Sequence, residues 1–153
     1  MTGSTKNKGN ILLVEKDAGI RGFAASVLAG DGYGVFETED AFQAFTLSES
    51  LTPPLHLLAA EVTAGSDLGG VELSRHLQVL RPGLKVLYLS SVPADPALRE
   101  ELQGALDSYL SKPFTRESLL AKVAKLLAAG REDGKRLWKK PRMDWRPAAE
   151  PAP

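Results

Sequence analysis

The residue types that could carry chemistry in this chain are carboxylates, lysines and a serine that follow short apolar segments. They are Glu15, Lys16, Asp17, Glu61, Ser90 and Lys112. The chain has no cysteine, which excludes disulfides, thiolate zinc sites and cysteine nucleophiles. With only two histidines, a histidine-rich metal site is disfavoured. A functional site would therefore have to be built from carboxylates, lysines and hydroxyl groups.

The elements that must position these side chains alternate between apolar strands and amphipathic helices. Strands are predicted at residues 11–14, 34–38, 55–62, 85–90 and 108–110. Apolar spacing indicates helices over residues 20–28, 73–80 and 119–127, and Asp95 followed by a proline predicts another helix start. Gly30 is expected to cap the first helix.

Five strands alternating with helices predict an α/β domain, a (βα)5 doubly wound parallel sheet between two helical layers. In such a sheet, ligands bind at the carboxyl ends of the strands, so the polar side chains named above are expected to converge on one rim. Polar residues also follow strands that have no functional site, and geometry alone leaves this alternative open.

Length and composition fit one domain with polar extensions. The chain has 153 residues, of which 43% are hydrophobic and 25% are charged. Residues 1–9 are interpreted as a flexible leader, 10–129 as the domain and 130–153 as a largely disordered tail. Apolar runs fall short of the ~20 residues of a membrane-spanning helix and no signal peptide is evident, so we expect a cytoplasmic protein.

Charge divides unevenly between the domain and the tail. Residues 131–153 carry seven basic and four acidic side chains, a net charge of +3, although the whole chain is neutral. Both tryptophans, Trp138 and Trp145, lie among these basic residues. The tail is therefore either a solvated extension or a docking segment anchored by Trp and Arg. It is too short to be a DNA-binding domain, so direct DNA binding is not expected.

Four segments in sequence order resemble the receiver domain of two-component response regulators. They are ILLVEKD (11–17), HLLAAEV (56–62) followed by GGVEL (69–73), RPGLKVLYLS (81–90) and YLSKPF (109–114). The resemblance covers about residues 10–129. It implies a flavodoxin-like fold with strand order 2-1-3-4-5.

The resemblance also implies a site. A receiver of this kind accepts a phosphoryl group from a histidine kinase on an aspartate after strand 3, beside a magnesium ion held by an acidic pair after strand 1. Glu15 matches the first acid of that pair. Ser90 and Lys112 match the groups that hold phosphoryl oxygens, and Tyr109 matches the aromatic switch residue.

Two positions depart from the family pattern. Lys16 stands where the second acid is expected, and Glu61 stands at the phosphoacceptor position. The extra methylene of Glu61 displaces its carboxylate, and a misplacement of about 1 Å can cost ~10²-fold in rate. Lys16 replaces an anionic metal ligand with a cation. Both departures disfavour conventional phosphotransfer.

Charge balance suggests how the altered site works. Glu15 and Glu61 face two lysines, Lys16 and Lys112, so we expect the Lys16 ammonium near the magnesium position, bridging Glu61, with no cofactor bound. Alternatively, Lys16 points into solvent and magnesium, if bound, is held by Glu15, Asp17 and Glu61. Asp17 is also well placed to cap the helix that follows it.

The function expected from the sequence is that of an atypical stand-alone receiver, a pseudo-receiver. It would act in phosphorelay signalling through the helix after Asp95, the strand carrying Tyr109 and the last helix. Its partners would be a histidine kinase or a downstream effector, with a homodimer as a further option. The alternative is a receiver that still catalyses its own phosphorylation, on Glu61 or another side chain. A third hypothesis is a flavodoxin-like binder of a different anion.

Overall fold

The sheet of this protein is parallel and five-stranded. The computed structural model describes residues 7–62, 69–90 and 108–129. The strands are β1 (Asn10–Val14), β2 (Gly34–Thr38), β3 (Leu57–Glu61), β4 (Lys85–Ser90) and β5 (Tyr109–Ser111). Their order is β2-β1-β3-β4-β5, with every neighbouring pair parallel. The predicted flavodoxin-like α/β fold and its strand order are confirmed.

Four helices lie within the described residues and cover both faces of the sheet. They are α1 (Ala18–Gly30), α2 (Ala41–Ser50), α3 (Gly69–Leu80) and α4 (Arg116–Ala128). Along β1, Ile11 belongs to the core shared with α1 and α4, and Leu12 belongs to the core shared with α2 and α3. This alternation follows from the two-residue period of a strand, which buries both faces of a parallel sheet.

The predicted boundaries hold closely. The strands at 34–38 and 85–90 have the predicted ends, whereas the strand predicted at 55–62 spans only Leu57–Glu61. Leu55 is buried outside the strand, so its apolar character reflects core packing rather than strand pairing. The strand predicted at 108–110 lies one residue later, at Tyr109–Ser111.

Side-chain caps explain where the helices begin. Asp17 accepts a hydrogen bond from the Ile20 N–H and so caps α1 as predicted, and Thr115 forms a capping box with Ser118 at α4. The predicted cap at Gly30 is wrong, because Gly30 is the last residue of α1. The left-handed turn falls at Gly32, with φ of 105°.

Several predicted segments lie outside the described residues. These are the helix expected after Asp95, the tail, and residues 1–6 of the leader. Lys8 and Gly9 are described, and main-chain hydrogen bonds of 2.9 Å join them to Gly32 and Gly34. Among the described helices, none combines the length and the apolarity needed to cross a bilayer.

The close approach of α3 to the end of β3 requires a glycine. A Cβ at Gly70 would lie 2.6 Å from the carbonyl oxygen of Glu61, whereas a Cβ at the exposed Gly22 of α1 would meet nothing within 4 Å. We predict that Gly70→Ala lowers the free energy of unfolding by ~1–3 kcal/mol through overpacking. Gly22→Ala should raise it by ~0.5–1 kcal/mol through helix propensity.

Urea denaturation of the two variants beside the parent protein measures both effects. Equal changes at the two glycines would contradict the packing that the structure shows between α3 and β3.

Candidate functional site

The carboxyl ends of three strands bring together the side chains of the site. Glu15 directly follows β1, Glu61 is the last residue of β3, and Lys112 directly follows β5. Ser90 is the last residue of β4 and is almost fully buried. Its carbonyl oxygen accepts a hydrogen bond of 2.7 Å from the Lys112 N–H. The expected convergence on one rim is therefore present for Glu15, Glu61 and Lys112, and a main-chain hydrogen bond joins Ser90 to Lys112.

The Lys112 ammonium lies between two carboxylates. Its Nζ is 2.7 Å from Glu15 Oε1 and 3.3 Å from Glu61 Oε2. The contact with Glu61 is also a hydrogen bond, whereas the contact with Glu15 is an ion pair without hydrogen-bond alignment. The side chains of Glu15 and Lys112 are 0% and 8% exposed, and Glu61 is 24% exposed. A buried carboxylate such as Glu15 requires a cationic partner.

Main-chain donors hold the two remaining carboxylate oxygens. The Lys16 N–H donates to Glu61 Oε1 at 3.0 Å, and the Asp17 N–H donates to Glu15 Oε2 at 3.1 Å. Arg21 Nη1 donates to the carbonyl oxygen of Glu15 at 2.8 Å and so supports the loop that carries these N–H groups. Each of the four carboxylate oxygens therefore already has a positively polarised partner.

The predicted role of the Lys16 ammonium is wrong. Its side chain is exposed and forms no ion pair with a described residue, and only its main-chain N–H contacts Glu61. Successive side chains at the end of a strand point in opposite directions, so burying Glu15 turns Lys16 outward. The charged partner of Glu61 is Lys112 instead, and Asp17 caps α1.

The arrangement does not fit a magnesium ion. Magnesium requires nearly octahedral oxygen ligands at about 2.0–2.1 Å. The oxygens of Glu15 and Glu61 instead point at an ammonium and at N–H groups, and Asp17 Oδ1 accepts the Ile20 N–H. Within the ranges that the structure describes, no three acidic, histidine or cysteine side chains are grouped as metal ligands.

Tyr109 is the first residue of β5 and lies on the face of the sheet that α2 and α3 cover. It is half-buried and packs against the core shared with α2 and α3. Its register partner on β4 is Tyr88, which is fully buried with its hydroxyl 2.7 Å from Ser74 Oγ. The switch role of Tyr109 stays a prediction.

Sequence reasoning missed Arg21 as a residue of the site. Its guanidinium contacts the loop carbonyls, and its Nε lies 3.8 Å from Glu37 Oε1 on β2. Its place in the chain could have indicated this role. A cation in the first turn of a helix is unfavourable beside the helix dipole, so such a side chain usually has a partner elsewhere.

An open groove of about 690 Å³ leads to the site. Glu15, Glu61 and Lys112 belong to its lining, and its apolar wall, named here the apolar groove, consists of Ile20, Phe23, Pro113 and Phe114. Phe23 is 44% exposed, and its ring centroid lies 6.1 Å from that of Phe114. Phe23 has the apolar spacing that predicts the helix over residues 20–28, which is typical of a buried side chain, but the described elements leave it partly uncovered.

The family model of the response regulator receiver domain matches residues 11–124. The response regulator receiver protein CpdR of Brucella abortus is 29% identical over 120 residues, 78% of this chain and 97% of CpdR. The KDP operon transcriptional regulatory protein KdpE of Escherichia coli is 32% identical over 114 residues, 74% of this chain and 49% of KdpE. The chain thus spans about half of KdpE, and 12% of the sensor kinase CckA of Brucella abortus.

Solved structures show the same fold. A CheY-like receiver domain protein from Methanospirillum hungatei superimposes with a TM-score of 0.67 at 24% identity, over 83% of this chain and 96% of that one. A response regulator from Thermotoga maritima superimposes with a TM-score of 0.63 at 22% identity, over 79% of this chain and 98% of that one.

Removing the Lys112 ammonium tests its part in stabilising the site. We predict that Lys112→Met lowers the free energy of unfolding by ~3–5 kcal/mol, because it leaves the buried Glu15 carboxylate without its cation. The matched control Lys16→Met removes an exposed lysine next to the same site and should change the free energy of unfolding by no more than ~0.5 kcal/mol. Chemical denaturation at neutral pH measures both.

A double-mutant cycle separates the ion pair from other effects of the substitution. Glu15→Gln combined with Lys112→Met should be more stable than Lys112→Met alone, because no charge is then buried without a partner at that contact. The assignment of Lys112 as the cation of the site would be contradicted if the two substitutions lowered the free energy of unfolding additively. It would also be contradicted if Lys16→Met lowered it as much as Lys112→Met.

Proposed function

Since the chain belongs to the family of response regulator receiver domains of two-component signalling, we propose that it acts as an atypical receiver. In this proposal it is a protein–protein interaction module whose site operates without magnesium-dependent phosphorylation of an aspartate. The observation that carries the proposal is the Lys112 ammonium between the carboxylates of Glu15 and Glu61.

The position of Lys112 supports a site whose carboxylates already have positive partners. A divalent ion adds most to a site whose carboxylates lack positive partners. Here the ammonium is 2.7 Å and 3.3 Å from the two carboxylates, and two N–H groups hold the other oxygens. A metal would have to displace these donors, and the nearby Lys16 side chain would add repulsion.

The state of Glu61 supports the same proposal. A phosphoacceptor must offer a carboxylate oxygen to the incoming phosphorus atom. Both oxygens of Glu61 are held, one by the Lys16 N–H and one by the Lys112 ammonium. These contacts draw electron density from the carboxylate and fix its direction, which lowers its reactivity as a nucleophile.

We propose proteins as the partners, either a histidine kinase or a downstream effector in the cytoplasm. Self-association and the aromatic switch at Tyr109 belong to this proposal as well. The contacts of Lys112 and Arg21 support this proposal, because they hold the buried carboxylate of Glu15 and the loop after β1 without a metal.

The alternative is a receiver that accepts a phosphoryl group from a histidine kinase. One observation favours it, because Glu61 and Lys112 are in contact and Ser90 is joined to Lys112 through the main chain. Of the groups that would hold phosphoryl oxygens, Lys112 therefore contacts the acceptor position, and Ser90 ends the neighbouring strand β4.

Phosphorylation by a small donor distinguishes the two functions. We predict that the protein, incubated with acetyl phosphate or phosphoramidate and magnesium, keeps its unmodified intact mass. The double variant Lys16→Asp with Glu61→Asp regains the residues that the family pattern expects, and should gain about 80 Da, the mass of one phosphoryl group. Magnesium binding by calorimetry should appear in the same variant only.

Controls identify the origin of each result. The single variants Lys16→Asp and Glu61→Asp show which departure matters more, and alkaline treatment removes an acyl phosphate. An alkali-labile adduct on the parent protein would refute the proposed function and establish the alternative.

A further inference from the structure

We propose that the apolar groove is the docking site of this chain's own basic segment, residues 131–146. In this arrangement the segment lies beside the rim that carries Glu61 and Lys112. The inference goes beyond the proposed function, because it holds whether or not Glu61 accepts a phosphoryl group.

The apolar groove offers a surface suited to aromatic side chains. Phe23 is 44% exposed, and its ring lies beside that of Phe114 with a centroid distance of 6.1 Å. The groove volume of about 690 Å³ falls in the ~300–1,000 Å³ range of sites that enclose a bound group. Covering exposed aromatic surface is favourable by roughly 25 cal/mol per Å².

Charge selects the occupant of the groove. Three carboxylates line it, those of Glu15, Asp17 and Glu61, against the single ammonium of Lys112. Lys16 adds one cation near the rim, and the nearby Arg21 guanidinium is paired with Glu37, so an excess of one negative charge remains. Residues 131–146 carry seven basic and three acidic side chains and include both tryptophans. A basic, tryptophan-bearing segment complements an acidic groove with aromatic walls.

The chain length between α4 and the tryptophans permits this contact. α4 begins just after the groove and runs back along the sheet for 13 residues, or about 20 Å at 1.5 Å per residue. Trp138 follows Ala129 by nine residues, which span up to about 30 Å when extended. The segment can therefore return to the groove. Tethering supplies an effective concentration of roughly millimolar, so a weak contact suffices.

Tryptophan fluorescence of the full-length chain reports the contact directly. Both tryptophans lie in the proposed segment, and the rest of the chain has none. We expect an emission maximum shifted to the blue of free tryptophan, with reduced acrylamide quenching. Emission and quenching equal to those of free tryptophan would overturn the proposal.

A matched pair of exposed phenylalanines locates the docking site. Phe23→Ser removes part of the apolar groove, and Phe42→Ser removes a similarly exposed ring on α2, at 38% exposure. Phe23→Ser should shift the emission to that of free tryptophan, whereas Phe42→Ser should leave it unchanged. The same shift in both variants, or in neither, would overturn the proposal.

A second variant keeps the test independent of the folding of Phe23→Ser. Lys139→Glu with Lys140→Glu reverses charge in the segment without touching the domain, and should also release the tryptophans. Retained blue-shifted emission in that variant would contradict the charge argument. Dilution should not change the parent spectrum. A change on dilution would mean that a second copy supplies the segment, and this would refute docking within one chain.

Discussion

The ammonium of Lys112 between the carboxylates of Glu15 and Glu61 is the interaction on which the rest of the site depends. Glu15 is fully buried, and a buried carboxylate needs a cationic partner, which lies 2.7 Å away. The same cation also reaches the carboxylate of Glu61, at the carboxyl end of β3, at 3.3 Å. One lysine thus joins the ends of three strands.

The fold supplies the support that this ion pair needs. Parallel strands with order β2-β1-β3-β4-β5 bring the ends of β1 and β3 side by side. Arg21 holds the loop after β1 by its carbonyls, so that the Lys16 N–H meets Glu61. Gly70 lets the first turn of α3 approach the main chain of Glu61. Packing and hydrogen bonding therefore act together with Lys112 in placing the two carboxylates.

Periodicity predicts most of this fold, but it does not predict where every side chain points. The strand ends and the convergence of Glu15, Glu61 and Lys112 on one rim follow from apolar spacing and from the shared edge of a parallel sheet. Strand alternation explains the outward direction of Lys16 once Glu15 is buried, but the sequence does not show which of these two neighbours is buried. Phe23 fits the spacing of a buried stripe, yet spacing cannot say whether another element covers it.

A crystal structure of the protein grown with magnesium and beryllofluoride shows directly whether Lys112 keeps its place in the site. We expect that Lys112 Nζ remains between Glu15 and Glu61, and that neither the metal nor the phosphoryl analogue is bound. An octahedral magnesium ion on Glu15 and Glu61, with beryllofluoride attached to Glu61 and held by Lys112, would contradict this expectation.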